Sequence, residues 1–244
     1  MDCFARNDVN DKFFNQVFTM HSITKGYFVT ATGTDVGKTF VTALLVKKWR
    51  DSGIDAGYYK AALSGAELRD GKWVAGDADY VKTIANLPDT QEELVSYVYK
   101  ESVSPHLAAR KEGNPVELSK VREDFEAACK RHEFIFAEGS GGIICPIRKD
   151  ENQTIFLEDI IKTVNLPLLI VTTAALGSIN ACVLTVEYAK SRGLDIRGII
   201  VNRYGTSKNL EMEDDNILMM QELTGLPILA KIPEGAKDLG TDIF

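Results

Sequence analysis

The sequence predicts an α/β fold, a doubly wound, mainly parallel sheet with helices on both faces, and two observations lead there. From Gly26 onward, short β-rich apolar runs alternate with longer amphipathic stretches, the order expected of strands joined by crossover helices. Each strand candidate is apolar along most of its length instead of at every second residue, as strands buried on both faces are. In chain order, a strand over Tyr27–Ala31 leads into a helical pattern at Lys38–Asp51, and a strand at Ala56–Tyr59 leads to helical patterns at Asp77–Ala85, Pro105–Lys111 and Leu118–Arg131. A strand at Phe134–Ala137 precedes a helix at Leu157–Val164, and one at Leu168–Thr172 precedes a helix at Ile179–Ser191. The strand Gly198–Val201, a helix at Asn209–Leu223 and a strand at Ile228–Ala230 complete the series. Gly53, Gly193 and Gly225 stand just past three of the helical patterns, where glycine ends a helix most easily.

One such domain accounts for 244 residues, and no internal repeat, low-complexity tract or linker divides it. The catalytic domain is expected to span residues 26–244. Met1 to Lys25 is polar and mixed, with aromatic points at Phe13, Phe14 and Phe18 and no clear period, and is expected to lie outside the fold.

Lys and Arg number 28 against 35 Asp and Glu, a net charge of −7, and no basic block stands out. Nucleic acid and anionic membrane surfaces both need concentrated positive charge, so small molecules or proteins are the expected partners. The most apolar stretch, Leu166 to Leu176, is broken by Pro167, Thr172 and Thr173 and falls short of the roughly 20 residues of a membrane span. Cys3, Cys129, Cys145 and Cys182 are scattered without metal-ligand spacing and no secretory segment precedes them, which reads as reduced thiols in the cytoplasm. His21, His106 and His132 are not paired closely enough to suggest a zinc site or a serine triad.

In an open parallel sheet, ligands sit beyond the carboxyl ends of the strands. The first strand opens there into Ala31-Thr32-Gly33-Thr34-Asp35-Val36-Gly37-Lys38-Thr39, followed at once by a helix. Backbone N–H groups at a helix start cradle phosphate, a lysine neutralises β/γ charge and a hydroxyl holds Mg²⁺. The strict glycine-rich pattern misses by one position, because Thr32 stands where its first glycine belongs and the glycine is Gly33. This is a variant phosphate loop of the P-loop NTPase type, read in preference to an ordinary strand-to-helix turn with a solvated lysine.

A second loop, Glu138-Gly139-Ser140-Gly141-Gly142, follows the strand Phe134–Ala137. An acid at that position suits metal or water opposite a phosphate loop, and glycines let the backbone approach a nucleotide. Without the phosphate loop it would read as a turn with Glu138 as a cap. Lys60 follows the strand Ala56–Tyr59, where a lysine is more often a surface charge than a catalyst, and Asp77 reads as a helix N-cap.

Taken in order, Thr32-x-Thr34-x-Val36-Gly37-Lys38-Thr39, Lys60-x-x-x-Ser64-Gly65, Asp77-Ala78, Ser104-Pro105-His106, Glu138-Gly139-x-Gly141-Gly142 and Leu176-Gly177-x-Ile179-Asn180 resemble the signature of the dethiobiotin synthetases. The likeness runs from about Tyr27 to Pro233. The variant loop is typical of that family. The resemblance implies an ATP-dependent cyclo-ligase: CO₂ (or bicarbonate) and 7,8-diaminononanoate form a carbamate, ATP phosphorylates it to a carbamic–phosphoric anhydride, and the second amine closes the ureido ring.

It further implies Lys60, Lys38 and Thr34 at the reacting centre, which reverses the surface reading of Lys60. Thr39, Asp77 and Glu138 would hold Mg²⁺. ATP would meet Asp35, Val36, Gly37, Lys38, Thr39, Glu138, Gly139, Ser140 and Gly141, with Asn202, Arg203 and Pro233 around the base. Substrate would meet Lys60 and Ser64, and its carboxylate tail would meet Gly177, Ser178 and Asn180 across a homodimer interface; taken alone, those three mark only the N-terminal turn of a helix. Ala31 and Ala61 replace a glycine and a proline usual in the family, Arg203 and Glu234–Gly235 depart from its forms near the base, and the tail after Pro233 is short.

Other classes fit less well. A nucleotide switch of the partitioning or cell-division type carries an additional early lysine in its loop, and Ala31 to Val36 contain none. A GTPase wants Asn-Lys-x-Asp after a late strand, where this chain has Asn202-Arg203-Tyr204-Gly205. A carboxylate-activating relative from cobalamin synthesis would carry an added glutaminase domain, for which this chain is too short.

Overall fold

The computed structural model describes residues 26–239, and the segment expected to lie outside the fold, Met1 to Lys25, falls outside the described residues, as do the last five. Seven parallel strands form the central sheet: β1 (Gly26–Ala31), β2 (Ala56–Ser64), β5 (Val95–Tyr99), β6 (Phe134–Glu138), β9 (Leu168–Thr173), β10 (Ile196–Tyr204) and β11 (Ile228–Pro233). Their order across the sheet is β11-β10-β9-β1-β6-β2-β5. The helices are α1 (Lys38–Asp51), α2 (Gly76–Ala85), α3 (Gln91–Leu94), α4 (Pro105–Glu112), α5 (Leu118–Arg131), α6 (Leu157–Val164), α7 (Ser178–Ser191) and α8 (Leu210–Thr224). Two small antiparallel hairpins stand apart from the sheet: β3 (Glu67–Arg69) with β4 (Lys72–Val74), and β7 (Pro146–Lys149) with β8 (Thr154–Phe156). Among the described residues no helix is long and apolar enough to cross a membrane.

Successive residues of each strand face opposite layers. Phe28 and Ile135 pack with Val121 and Phe125 of α5 and Ile160 and Ile161 of α6. Val29, Ala31 and Phe136 pack on the other side with Val41, Leu44 and Leu45 of α1 and Ala78 and Val81 of α2. A third cluster fills the space between β9, β10, α7 and α8, where Cys182 serves as a small buried hydrophobe.

The predicted helices are all present, and each predicted strand exists. Several features of the structure depart from the sequence reading, the short helix α3 and the β7–β8 hairpin among them. β2 runs on to Ser64, so Lys60 is a mid-strand residue and not a lysine after a strand. β5 escaped notice because it is the edge strand, and its alternating burial gives no continuous apolar run. The β3–β4 hairpin turns on Asp70-Gly71, both at positive φ (50° and 76°), the dipeptide that a two-residue hairpin turn favours.

Candidate active site

The order β1-β6-β2 sets three chain-remote segments side by side. Val29 of β1 is level with Glu138 of β6, and Glu138 is level with Lys60 of β2. The loop from Thr32 to Gly37 leaves β1 at that same edge and enters α1. Gly37, the N-cap of α1, has φ 89°, and a Cβ there would sit 2.1 Å from Asn202 Nδ2, so both backbone and space require glycine. Asp35 also has positive φ, 61°. No side chain caps α1 and no acid stands in its first turn, which leaves its N–H groups and dipole to an anion. Lys38 and Thr39 are its first two residues. Thr34 and Asp35 are exposed, and Val36 is half-buried.

Behind the loop lies a compact polar cluster. The Lys60 ammonium donates to Asp77 Oδ2 at 2.5 Å and to Glu138 Oε1 at 2.8 Å. Thr39 Oγ1 donates to the same Glu138 oxygen at 2.9 Å, and the Tyr58 hydroxyl donates to Glu138 Oε2 at 3.2 Å. Burial alone would discharge Lys60, but the two carboxylates outweigh it and hold its pKa above the ordinary lysine value. Burial likewise opposes ionisation of Asp77, and Lys60 beside it overrides that and keeps the carboxyl below its usual range. Lys38 behaves in the opposite way. Its burial dominates and lowers its pKa, with Glu138 only partly compensating. Asp77 is the second residue of α2, whose N-cap is Ala75, so it does not cap the helix as its position in the sequence suggested.

Around this centre, Ser140 Oγ donates to the Ala62 carbonyl at 2.5 Å, tying the Glu138–Gly142 loop to β2. Gly139 and Gly141 lie in that loop beside it. Ser64 ends β2, roughly 13 Å along the strand from Lys60 at about 3.3 Å per residue, on the same face. Asn202, buried near the end of β10, donates from Nδ2 to the Val36 carbonyl at 2.9 Å, while its Oδ1 is buried without a partner. Arg203 follows at φ 56° in a register shift that sets Tyr204 beside Pro233 of β11. The structure therefore joins Asn202 to the phosphate loop and brings Arg203 and Pro233 to one corner. Gly177, with φ 88°, begins α7, where no side chain caps the helix and no acid occupies the first turn. Ser178 Oγ is buried without a partner, Asn180 is exposed and Leu176 is 88% exposed. That turn makes no hydrogen bond or ion pair with the Lys60 cluster among the described residues.

Tyr58 was missed in the sequence, although its position two residues before Lys60 places both on one face of a strand. Cys145, read from the sequence as a reduced thiol, is buried and free. It lies close enough to Lys38 and Lys60 to feel their charge, yet burial pushes its thiol up to about 11.

A parallel sheet with a phosphate loop feeding an uncapped helix, a lysine in the first turn and a hydroxyl plus two carboxylates behind it defines a nucleotide-binding enzyme of the phosphate-loop class. In agreement, a family model described as an AAA domain matches residues 25–238. The chain is 50% identical over 212 residues to an ATP-dependent dethiobiotin synthetase of Brachyspira hyodysenteriae, covering 86% of this chain and 93% of the relative. It is 48% identical to the enzyme of that name from Clostridium botulinum, over 84% of this chain and 88% of the relative. The chain belongs to the ATP-dependent dethiobiotin synthetase family. Among solved structures, the septum site-determining protein MinD from Pyrococcus horikoshii, complexed with Mg-ADP, superposes with TM-score 0.52 at 18% identity, covering 86% of this chain and 82% of that one. A ParA family ATPase from Chlorobium tepidum gives TM-score 0.51 at 16% identity, over 88% and 85%. These two share the fold, and the cell-division reading of the sequence reduces to that distant relation.

Proposed function

We propose that the chain makes dethiobiotin from 7,8-diaminononanoate, CO₂ and ATP, releasing ADP and phosphate. The observation that carries this reading is the buried Lys60 ammonium, shared by Asp77 and Glu138 directly behind the phosphate loop. One amine of the substrate adds to CO₂ and gives a carbamate. The carbamate oxygen attacks the γ-phosphorus and ADP leaves, and the second amine then attacks the carbonyl carbon, closing the ureido ring and expelling phosphate. Each attacking amine gives up a proton, and each step gathers negative charge on carbamate or phosphate oxygens, so the protein's contribution is alignment and fixed positive charge.

Lys38 and the free N–H groups of α1 are assigned to the β- and γ-phosphates, Thr34 to the reacting end of the loop, and Lys60 to the carbamate and the transferring phosphoryl group. Ser64 is assigned to the diamine. Thr39, Asp77 and Glu138 offer hard oxygen ligands that fit Mg²⁺, and an ion that keeps several waters and takes substrate phosphates needs no more than two carboxylates. When bound, that ion neutralises charge on the phosphate oxygens. The partnerless Asn202 Oδ1 suits the amino group of adenine, with Arg203 and Pro233 flanking it. Gly177, Ser178 and Asn180 are assigned to the substrate carboxylate of a partner protomer in a homodimer. The free thiols of Cys129, Cys145 and Cys182 support a cytoplasmic setting.

The test is ATP turnover with and without the diamine. ADP release is expected only when diaminononanoate and bicarbonate are both present, with dethiobiotin detected by mass spectrometry, and turnover indifferent to the diamine would refute the reading. Running the same assay on a chain that begins at Gly26 checks the assignment of catalysis to residues 26–244, for which undiminished turnover is expected.

A further inference from the structure

We propose that Tyr58 is a positioning residue that sets the rotation of the Glu138 carboxylate, so that Oε1 faces the phosphate loop and the metal. The inference rests on the assignment of Glu138 to Mg²⁺. Tyr58 and Lys60 share one face of β2, and their register partners on β6 are Phe136 and Glu138. Lys60 therefore lies directly across from Glu138, and Tyr58 reaches it on the diagonal, a separation that an aromatic side chain spans.

The carboxylate is divided between three donors. Oε1 receives the Thr39 hydroxyl from the start of α1 and the Lys60 ammonium from β2, while Oε2 receives the Tyr58 hydroxyl. The Glu138 side chain is 0% exposed, so water does not substitute for a lost donor. Tyr58 is itself fully buried, and its hydroxyl reaches Glu138 Oε2 from within the core. The adjacent Tyr59 supplies the contrast. Its hydroxyl faces the opposite layer, bonded to Ser96 Oγ at 2.7 Å and to the Val121 carbonyl at 3.1 Å, and it has no route to the site.

The experiment compares wild type with Tyr58→Phe and Tyr59→Phe, each loaded with ADP and titrated with Mn²⁺, bound metal being read from water-proton relaxation. Losing a group that orients a metal ligand typically costs 10–100-fold in metal affinity, so Tyr58→Phe is expected to bind Mn²⁺ about ten-fold more weakly. Its ADP affinity without metal should stay at the wild-type value, and its turnover should recover at high Mg²⁺. Tyr59→Phe should bind Mn²⁺ as wild type does. If Tyr58→Phe does not fold, para-aminophenylalanine at position 58 supplies an N–H donor in the same place and is expected to retain Mn²⁺ binding. Unchanged Mn²⁺ affinity in Tyr58→Phe, an equal loss in Tyr59→Phe, or loss in a folded para-amino variant would overturn the proposal. A wild-type protein that binds Mn²⁺ but forms no dethiobiotin overturns the reaction assigned above and not the role of Tyr58.

Discussion

Lys60 concentrates the chemistry of the site in one side chain. It is 4% exposed, and its only acceptable surroundings are the two carboxylates that hold it. Removing it takes away the one ammonium that both Asp77 and Glu138 accept from, leaving only the more distant charge of Lys38, and breaking a buried ion pair costs about 3–5 kcal/mol. Lys60→Ala is accordingly expected to unfold at markedly lower urea and to lose dethiobiotin formation. ATP binding should persist, because none of the Lys60 contacts is to the phosphate loop, and full product formation by this variant would remove Lys60 from the mechanism. The burial of this residue was not legible locally. A lysine interrupts an apolar run, so the strand seemed to stop at Tyr59, and the partners that make its burial tolerable stand at positions 77 and 138. The phosphate loop was legible because strand, loop and helix are contiguous, although part of the demand for Gly37 comes from Asn202, far along the chain. Glu138 fell between these cases, since its place at a strand end suggested an acid for a metal while its three donors came from elsewhere.

Elements are tied to one another at the far end of the sheet by a second polar cluster. His132, just past α5, lies with Nδ1 3.0 Å from Asp55 and Nε2 3.0 Å from Asp89, and Arg131 donates to Asp89 at 3.0 Å. Asp89, between α2 and α3, thereby ties that connection to the end of α5, and His132 carries the link on to Asp55 before β2. Burial would raise its pKa, but His132 and Arg131 outweigh that and lower it. A carboxylate with a depressed native pKa contributes stability that is complete above its unfolded value, near pH 4, and disappears as pH falls through the native one. Asp89→Asn should therefore cost about 1.5–3 kcal/mol at pH 7, the worth of charge-assisted hydrogen bonds. The deficit should shrink as wild type and variant are both taken below about pH 4. Urea unfolding at the two pH values measures this, and a deficit independent of pH would contradict it. Elements of this kind mark the limit of periodicity as a guide. α5 and α6 kept their predicted bounds because each buries one stripe, and α1 kept its own although Val41 to Val46 are all buried, whereas edge strand β5 and the exposed hairpins bury too little to leave a run of apolar residues.

At the scale of the molecule, the topology and not the net charge governs what can bind. The −7 charge is an average over the chain. The sheet order collects Lys38, Lys60 and the positive end of α1 at one edge, so polyphosphate meets local positive charge on an acidic protein. The same edge carries the turn before α7, and there Leu176 is 88% exposed and Ile144, after the Glu138 loop, is 59% exposed. In the proposed homodimer they flank the turn that receives the substrate carboxylate, which makes assembly and diamine binding one event. Leu176→Asp is expected to shift the protein toward monomer in sedimentation velocity and to raise the KM for the diamine at least ten-fold, while ATP affinity holds. A variant that stays dimeric with an unaltered diamine KM, or a wild type that sediments as a monomer while fully active, would show that each protomer holds a complete site.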